Sequence, residues 1–348
     1  MARAAFTLLA EAAFAGALLS GCSKAPERVT SPAVVLPSSS TTPGTSLPVS
    51  APSATQSAAT PEAIGDAAPS PEPCPLPEIP SDMLPVPGGT FQMGSDDEGE
   101  QDERPRHAVT VESFLLDVTE VTHDAYAECV RASVCARPDS LASSPLTSGR
   151  PAEFRKPDHP VSGVAWADAV KYCEFRGKRL PSEAEWERAA RGDDGRHYVW
   201  GNAAPDPLRH GVFGGRPTTE PVGKYPDGKG PYGHFDLAGN VWEWVQDMYD
   251  PYAYRRESAA RGIPGSCEEI KTTLDYLRAH HMQGFTGKNP IPIECERVLR
   301  GGAYNYGAGM MRASNRVHHP ATFRIAVAGF RCAKDMASAA AECATTPN

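Results

Sequence analysis

A fifty-residue stretch with almost no capacity to build a core limits where this chain can fold. From residue 24 to residue 73, Pro, Ser, Thr and Ala supply 34 of the 50 positions, and the stretch has no aromatic residue and no cysteine. It therefore buries too little apolar surface to offset the entropy lost on ordering, about 1–2 kcal/mol per residue. We expect residues 22–73 to form a disordered tether and residues 74–348 to form the folded domain.

The residues before the tether are typical of a lipoprotein signal. Arg3 precedes a mostly apolar run, and the segment from Leu19 to Cys22 resembles the site that lipoprotein signal peptidase cleaves. Residues 1–21 would then be removed, and acyl chains on Cys22 would anchor the protein to a membrane. The alternative is an ordinary signal peptide followed by an unrelated cysteine. We therefore expect export and anchoring to the cell envelope. Because Ser23 rather than Asp follows Cys22, the outer membrane is favoured.

Net charge excludes one class of partner, and the cysteine count predicts disulfide bonds. The formal net charge is −9 and no basic block stands out, so we expect no nucleic-acid partner. Nine cysteines leave eight for the domain once one is lipidated, and an even number in an exported domain predicts disulfides. We pair Cys129 with Cys135, Cys267 with Cys295, Cys74 with Cys343, and Cys173 with Cys332. Spacing alone leaves other pairings open.

Local sequence signals predict an α+β domain with long irregular loops. Three helices are expected: one capped by Thr122 and running to about Arg131, one from Trp166 to Arg176 stopped by Gly177, and one opened by the capping box Ser182–Glu185 and ending near Gly192. Residues 107–117 alternate like one strand, and short strands are expected at 298–300 and 329–333. Helix signals fade after residue 192, and the segment between Cys267 and Cys295 shows little hydrophobic pattern.

Several sequence blocks occur in a fixed order and together identify a family. They are Pro87–Gly94, Asp117–Thr122, His159–Val161, Trp166–Ala169, Gly177–Glu187, Asp236–Trp244, Leu299–Gly302 and Gly329–Ala333. From about Met83 to Lys334 the chain resembles the formylglycine-generating enzyme family, also called sulfatase-modifying factor. The resemblance implies that family's variant of the C-type-lectin-like fold, a single loop-rich domain held by disulfides. It also supports the bridge between Cys173 and Cys332.

The residues that carry the family's chemistry differ in this chain. Formylglycine-generating enzymes oxidise a sulfatase cysteine with O2 at Cu(I), which is bound by two cysteines five residues apart after the Arg-Gly-Gly block. The resemblance places those positions on Tyr306 and Met311, and the family's active-site serine on Ala303. A phenol and a thioether do not replace two soft thiolates. We therefore expect no copper and no formylglycine-generating activity. The alternative is a residual formylglycine generator or another oxidase at the same site.

The resemblance implies two further features, a peptide groove and a calcium site. The groove holds an extended peptide in the enzymes, and its floor here would include Trp242, Tyr304, Asn305, Tyr306, Arg312 and Arg316. The Ca2+ ligands would be the side chains of Asp236 and Glu243 and the carbonyls of Gly239 and Val241, since Ca2+ prefers oxygen donors. The alternative is that core tryptophans hold this turn and that Glu243 has an internal partner. Calcium would be structural.

These observations favour a membrane-tethered, non-oxidising binding or scaffold module of the cell envelope. Its partner would be an extended peptide or an envelope protein, and the membrane would be reached through the lipid anchor. A purely structural envelope protein is the alternative that also lacks oxidation chemistry.

Overall fold

The structure, a computed structural model, describes residues 79–138, 145–147, 149–282 and 290–336. All of them belong to the second of the two units into which the chain divides, residues 70–348. The expected signal sequence and tether, Cys22, and the expected bridge between Cys74 and Cys343 lie outside these residues. No helix in the described ranges has the length and apolar character needed to cross a bilayer.

Nine short strands form three small sheets in the described part of the chain. The first sheet has the order β1 (Met83–Val86), β4 (Phe114–Asp117), β9 (Ala333–Asp335); the second pairs β2 (Gly89–Met93) with β3 (His107–Val111); the third has the order β7 (Arg316–His319), β6 (Arg297–Arg300), β5 (Trp242–Met248), β8 (Ala328–Gly329). Neighbouring strands are antiparallel except β5 and β8, which are parallel. The first sheet joins the beginning of the described domain to its end.

Two of the expected strands are each divided in the structure. The alternating stretch 107–117 forms β3, which pairs with β2, and β4, which lies between β1 and β9. Between them the hydroxyl of Ser113 accepts a hydrogen bond from the Gly88 backbone N–H at 2.9 Å, which fixes the corner. The stretch 329–333 is likewise divided between β8 and β9. The predictions of single strands were wrong because each half belongs to a different sheet.

The predicted helices in the first half of the domain are confirmed. The helices in the described residues are α1 (His123–Arg131), α2 (Pro151–Phe154), α3 (Trp166–Phe175), α4 (Glu183–Arg191) and α5 (Cys267–Ala279). The Thr122 hydroxyl accepts from the backbone N–H of Ala125 at 3.2 Å and so caps α1. Ser182 and Glu185 bond reciprocally at the start of α4. Gly192 has a φ of 64° at its end, which favours glycine.

Helix α5 lies in the segment where no helix was expected. It has its own capping box from Ser266, and its apolar residues Ile270, Leu274 and Leu277 are buried together with Ile291. Positions 270, 274 and 277 share one face of a helix, so the signal was present in the sequence but diluted by polar residues. The prediction of an irregular insertion was therefore wrong.

Three of the expected disulfides are present among the described residues. They join Cys129 to Cys135, Cys173 to Cys332 and Cys267 to Cys295. The second bridge spans 159 residues and is fully buried, so it ties α3 to the strand region at the end of the domain.

Helix α4 carries two glutamates into the protein interior, where they meet two arginines. Glu183 forms a two-point ion pair with Arg316, with Nε–Oε1 and Nη2–Oε2 distances of 2.7 and 2.8 Å. Arg300 bonds to Glu183 at 3.2 Å and also to Glu187. The side chains of both arginines and of Glu187 are 0% exposed. These four residues, the buried ion network, connect α4 to β6 and β7.

Replacing Arg316 by Met tests the importance of the buried ion network. Removal of one partner leaves the Glu183 carboxylate buried with too few donors, so we expect a loss of about 3–5 kcal/mol in the free energy of unfolding. Urea unfolding followed by circular dichroism measures the loss.

Arg209 provides the matched control, because its ion pair with Asp227 lies on the surface, with side chains 64% and 54% exposed. Arg209→Met should cost less than about 1 kcal/mol. Equal losses in the two variants would show that the buried ion network contributes no more to the free energy of unfolding than a surface ion pair does.

Candidate functional site

The loop that follows β6, residues 301–311, holds the candidate site positions. Met311 is 1% exposed, and its side chain lies directly over Gly302. A Cβ on Gly302 would come within 2.1 Å of the Met311 Cε, and the glycine has a φ of 80°. Ala303 is fully buried. The positions equivalent to one copper ligand and to the active-site serine are therefore part of the packed interior.

Tyr306 is wedged between the two main hydrophobic clusters of the domain. Its ring meets Trp242 edge-on, with centroids 5.6 Å apart and an interplanar angle of 81°. Its carbonyl accepts a hydrogen bond from Gly214 at 2.7 Å. Burial raises the pKa of the phenol, so the hydroxyl stays neutral at physiological pH. All six cysteines in the described ranges are in disulfides, so these ranges offer a metal no thiolate.

Four of the six expected groove residues lie together in and beside this loop. Trp242 and Tyr304 are buried, and the Tyr304 hydroxyl donates to the Leu146 carbonyl at 3.4 Å. Asn305 and Tyr306 are partly exposed. The side-chain oxygen of Asn305 is buried and has no hydrogen-bond partner in the described part of the chain. Asn305 and Tyr306 are thus the two expected groove residues that solvent reaches here.

The two arginines expected in the groove face the interior instead. Arg316 belongs to the buried ion network, and Arg312 donates to the Glu103 carboxylate at 2.5 Å. Glu103 is fully buried and also accepts from the Ser314 hydroxyl at 2.8 Å and from Asn315 at 3.2 Å. The sequence placed both arginines in the groove floor, whereas in the structure each is engaged by a buried carboxylate from a distant part of the chain.

The turn proposed for calcium is closely bonded within the protein. Glu243 accepts two hydrogen bonds of 2.7 Å from Arg331 and one of 2.9 Å from the Trp186 indole. Asp236 has a φ of 56° and accepts from the backbone N–H of Gly223 at 2.6 Å. A carboxylate offers about four acceptor positions, so Glu243 retains one and Asp236 retains more.

Acidic side chains outnumber basic ones at this turn. Glu120, a residue not singled out in the sequence, accepts from the backbone N–H of Val241 at 3.0 Å and is buried. Burial and repulsion from Asp236 and Glu243 raise the pKa of Glu120 well above its usual value. Burial raises the pKa of Asp236 to about 6. Three buried carboxylates thus lie near a single guanidinium, Arg331, which favours a cation or protonation.

The carboxylates alone do not complete a metal site. Within the described ranges, no group of three or more His, Cys, Asp or Glu side chains is arranged to hold a metal ion. A cation at this turn would therefore depend on carbonyl oxygens as well, and the carbonyls of Gly239 and Val241 are the ones the sequence comparison indicates.

Met311→Ala tests whether Met311 fills the interior as the structure indicates. Deletion of this buried side chain leaves a cavity over Gly302, so we expect a loss of about 2–5 kcal/mol in unfolding free energy. The neighbouring Met310 is partly exposed and provides the control, for which Met310→Ala should cost clearly less. Similar losses in chemical denaturation would argue against a packing role specific to Met311.

Comparison with known proteins agrees with the architecture. The family described as sulfatase-modifying factor enzyme 1-like domain matches residues 69–336. The formylglycine-generating enzyme of Streptomyces coelicolor is 33% identical over 325 residues, covering 77% of this chain and 94% of the relative. The inactive C-alpha-formylglycine-generating enzyme 2 of Bos taurus is 34% identical, covering 48% and 71%.

A solved structure shows the fold. PvdO from Pseudomonas aeruginosa superposes with a TM-score of 0.53 at 24% identity, covering 76% of this chain and all of PvdO. PvdO has the C-type-lectin-like fold, and the described domain shares its loop-rich mixture of helices and small sheets. The chain therefore belongs to the formylglycine-generating enzyme family, also known as the sulfatase-modifying factors, with the C-type-lectin-like fold.

Proposed function

We propose that this protein is a non-oxidising member of its family that acts as a binding or scaffold module. The observation that carries the proposal is the packing of Tyr306 and Met311: at the two positions of the copper-binding thiols, the chain has a wedged phenol and a buried thioether. A fold does not determine an activity, which depends on the site residues. The relative named as inactive gives a precedent for loss of chemistry in this family.

The ligand of this module would be an extended peptide segment of an envelope protein. Support comes from two partly exposed groove residues, Asn305 and Tyr306. The amide of Asn305 can donate a hydrogen bond to a peptide carbonyl. The ring of Tyr306 supplies apolar surface beside it.

The N-terminal sequence supports the proposal of a location at the cell envelope. Cleavage before Cys22 and lipidation would anchor the chain to a membrane, for which we favour the outer membrane.

Assay of the purified protein with a Cys-x-Pro-x-Arg peptide, the sequence that the family enzymes modify, distinguishes binding from oxidation. In the presence of O2 and Cu(I), we expect no aldehyde by mass spectrometry and no tight Cu(I) binding, because the thiol pair is missing. The Streptomyces coelicolor enzyme serves as the positive control. Formation of aldehyde by this protein would establish the alternative, a residual formylglycine-generating oxidase, and overturn the proposal.

Binding is tested in a separate experiment, in which the purified protein captures partners from an envelope extract and the captured proteins are identified. Tyr306→Ala should reduce capture, whereas Tyr276→Ala, which alters a tyrosine that is 52% exposed on α5, should leave it unchanged. Failure of the wild-type protein to retain any partner would favour a purely structural role.

We further propose a structural Ca2+ at the turn of Asp236 and Glu243. The support is the set of three buried carboxylates beside one guanidinium, which when ionised carry an excess of two negative charges, together with the preference of Ca2+ for carboxylate and carbonyl oxygens. Bound calcium would neutralise these groups and fix a turn in which Asp236 and Asn240 both have positive φ values.

Calcium should raise the melting temperature of the purified protein, whereas Mg2+ at equal concentration should have little effect. At a hundred times its dissociation constant, Ca2+ would add about 2.7 kcal/mol of stability. Asp236→Asn should abolish the shift, and Asp227→Asn, at an exposed aspartate, should preserve it. An unchanged melting temperature of the wild-type protein in Ca2+ would refute the calcium site.

A further inference from the structure

A pocket on the outer face of α1 is separate from the groove. It encloses about 280 Å³ between α1 and the segments around residues 137 and 155. His123, Ala127, Val130 and Arg131 line it from the helix, because residues spaced by three or four share one helical face. The volume is close to the lower end of the range for small-ligand sites, roughly 300 Å³.

The charged side chains that line this pocket within the described ranges are positive. Arg131, Arg137 and Arg155 line it, and no Asp or Glu of the described residues does. None of these three arginines forms a salt bridge with any carboxylate of the described ranges, although most other arginines in those ranges do. Three guanidiniums around one cavity form a positive site suited to an oxyanion, which they bind through paired N–H groups.

A histidine that lines the pocket, His123, supplies an unsatisfied polar atom. The Nε2 atom of His123 is buried and has no hydrogen-bond partner among the described residues. Burial, and then the positive charges of Arg155 and His159, lower the pKa of His123 to about 4. An anion in the pocket would offset those charges and accept a hydrogen bond from the protonated ring.

The remaining walls are apolar. Ala127, Val130 and the ring of Tyr126 form them, and the Tyr126 hydroxyl is directed elsewhere, donating to the Ala136 carbonyl at 2.9 Å. Inorganic anions gain nothing from such walls, whereas a ligand with a short hydrocarbon body buries apolar surface against them.

From this geometry we infer that the pocket binds an organic oxyanion, a carboxylate or phosphate headgroup on a short apolar body, held by Arg131, Arg137 and Arg155. The site is independent of the groove and of the proposed peptide ligand. Phe154, which precedes Arg155, packs edge-on against Tyr304 with ring centroids 5.4 Å apart, so the pocket and the groove share one hydrophobic cluster.

Isothermal titration of the full chain tests the inference with four probes: hexyl phosphate, hexanoate, inorganic phosphate and hexanol. We expect at least one of the two alkyl anions to bind, and to bind at least tenfold more tightly than inorganic phosphate or hexanol. The comparison of hexyl phosphate with hexanoate distinguishes the two headgroups. Absence of binding by both alkyl anions, or equal binding of hexanol, would overturn the inference.

Substitution of the arginines locates the binding. Arg131→Gln and Arg155→Gln should each weaken it about tenfold, equivalent to 1.4 kcal/mol, and Arg209→Gln, at a remote exposed arginine, should not. Both residues are exposed, so the fold should persist, as circular dichroism can check. A rise in the His123 pKa on ligand binding, followed by NMR, is a second readout. Full affinity in both variants would place the anion elsewhere.

Discussion

The interaction on which the rest of this domain depends is the pair of ion contacts that Glu183 makes with Arg316 and Arg300. All three side chains are removed from water, so each charge is tolerable only while the others are in place. Glu187 extends the contacts by accepting from the Gly94 backbone at 2.7 Å. A buried polar network of this kind favours one arrangement of its elements. One helix thereby sets the positions of two strands and of a loop from the start of the domain.

At the candidate site, two of the positions that carry the family's chemistry are packed against the rest of the domain. In the family enzymes, the loop after the Arg-Gly-Gly block presents two thiols; here, the same loop directs Met311 inward and wedges Tyr306 against Trp242. The buried arginine Arg300 of that block keeps its structural partners regardless. The fold and the chemistry of this family thus depend on different residues. Similarity over three quarters of the chain therefore establishes the family, whereas an activity depends on individual side chains.

Local signals in the sequence were reliable where the structure is locally determined. Thr122 and Ser182 begin helices because their hydroxyls bond within the next turn. Long-range contacts could not be predicted from the sequence. Arg312 pairs with Glu103 across 209 residues, and no rule of sequence spacing distinguishes such an arginine from one that faces a ligand. Glu103 is fully buried, although the sequence around it is rich in charged residues. Helix α5 is an intermediate case. The spacing of its apolar residues predicts a helix, but the many polar residues around them make that pattern hard to recognise.

The pairing of β9 with β4 also determines when this protein can complete its fold. Leu116 lies opposite Ala333, so the strand that closes the first sheet is among the last described residues. Until those residues leave the ribosome, one edge of β4 has no partner and remains open to other strands. Contacts between residues so distant in sequence form slowly. A chain truncated before β9 would thus expose an unpaired edge of β4, and protection from aggregation through this edge depends on the presence of residues 333–335.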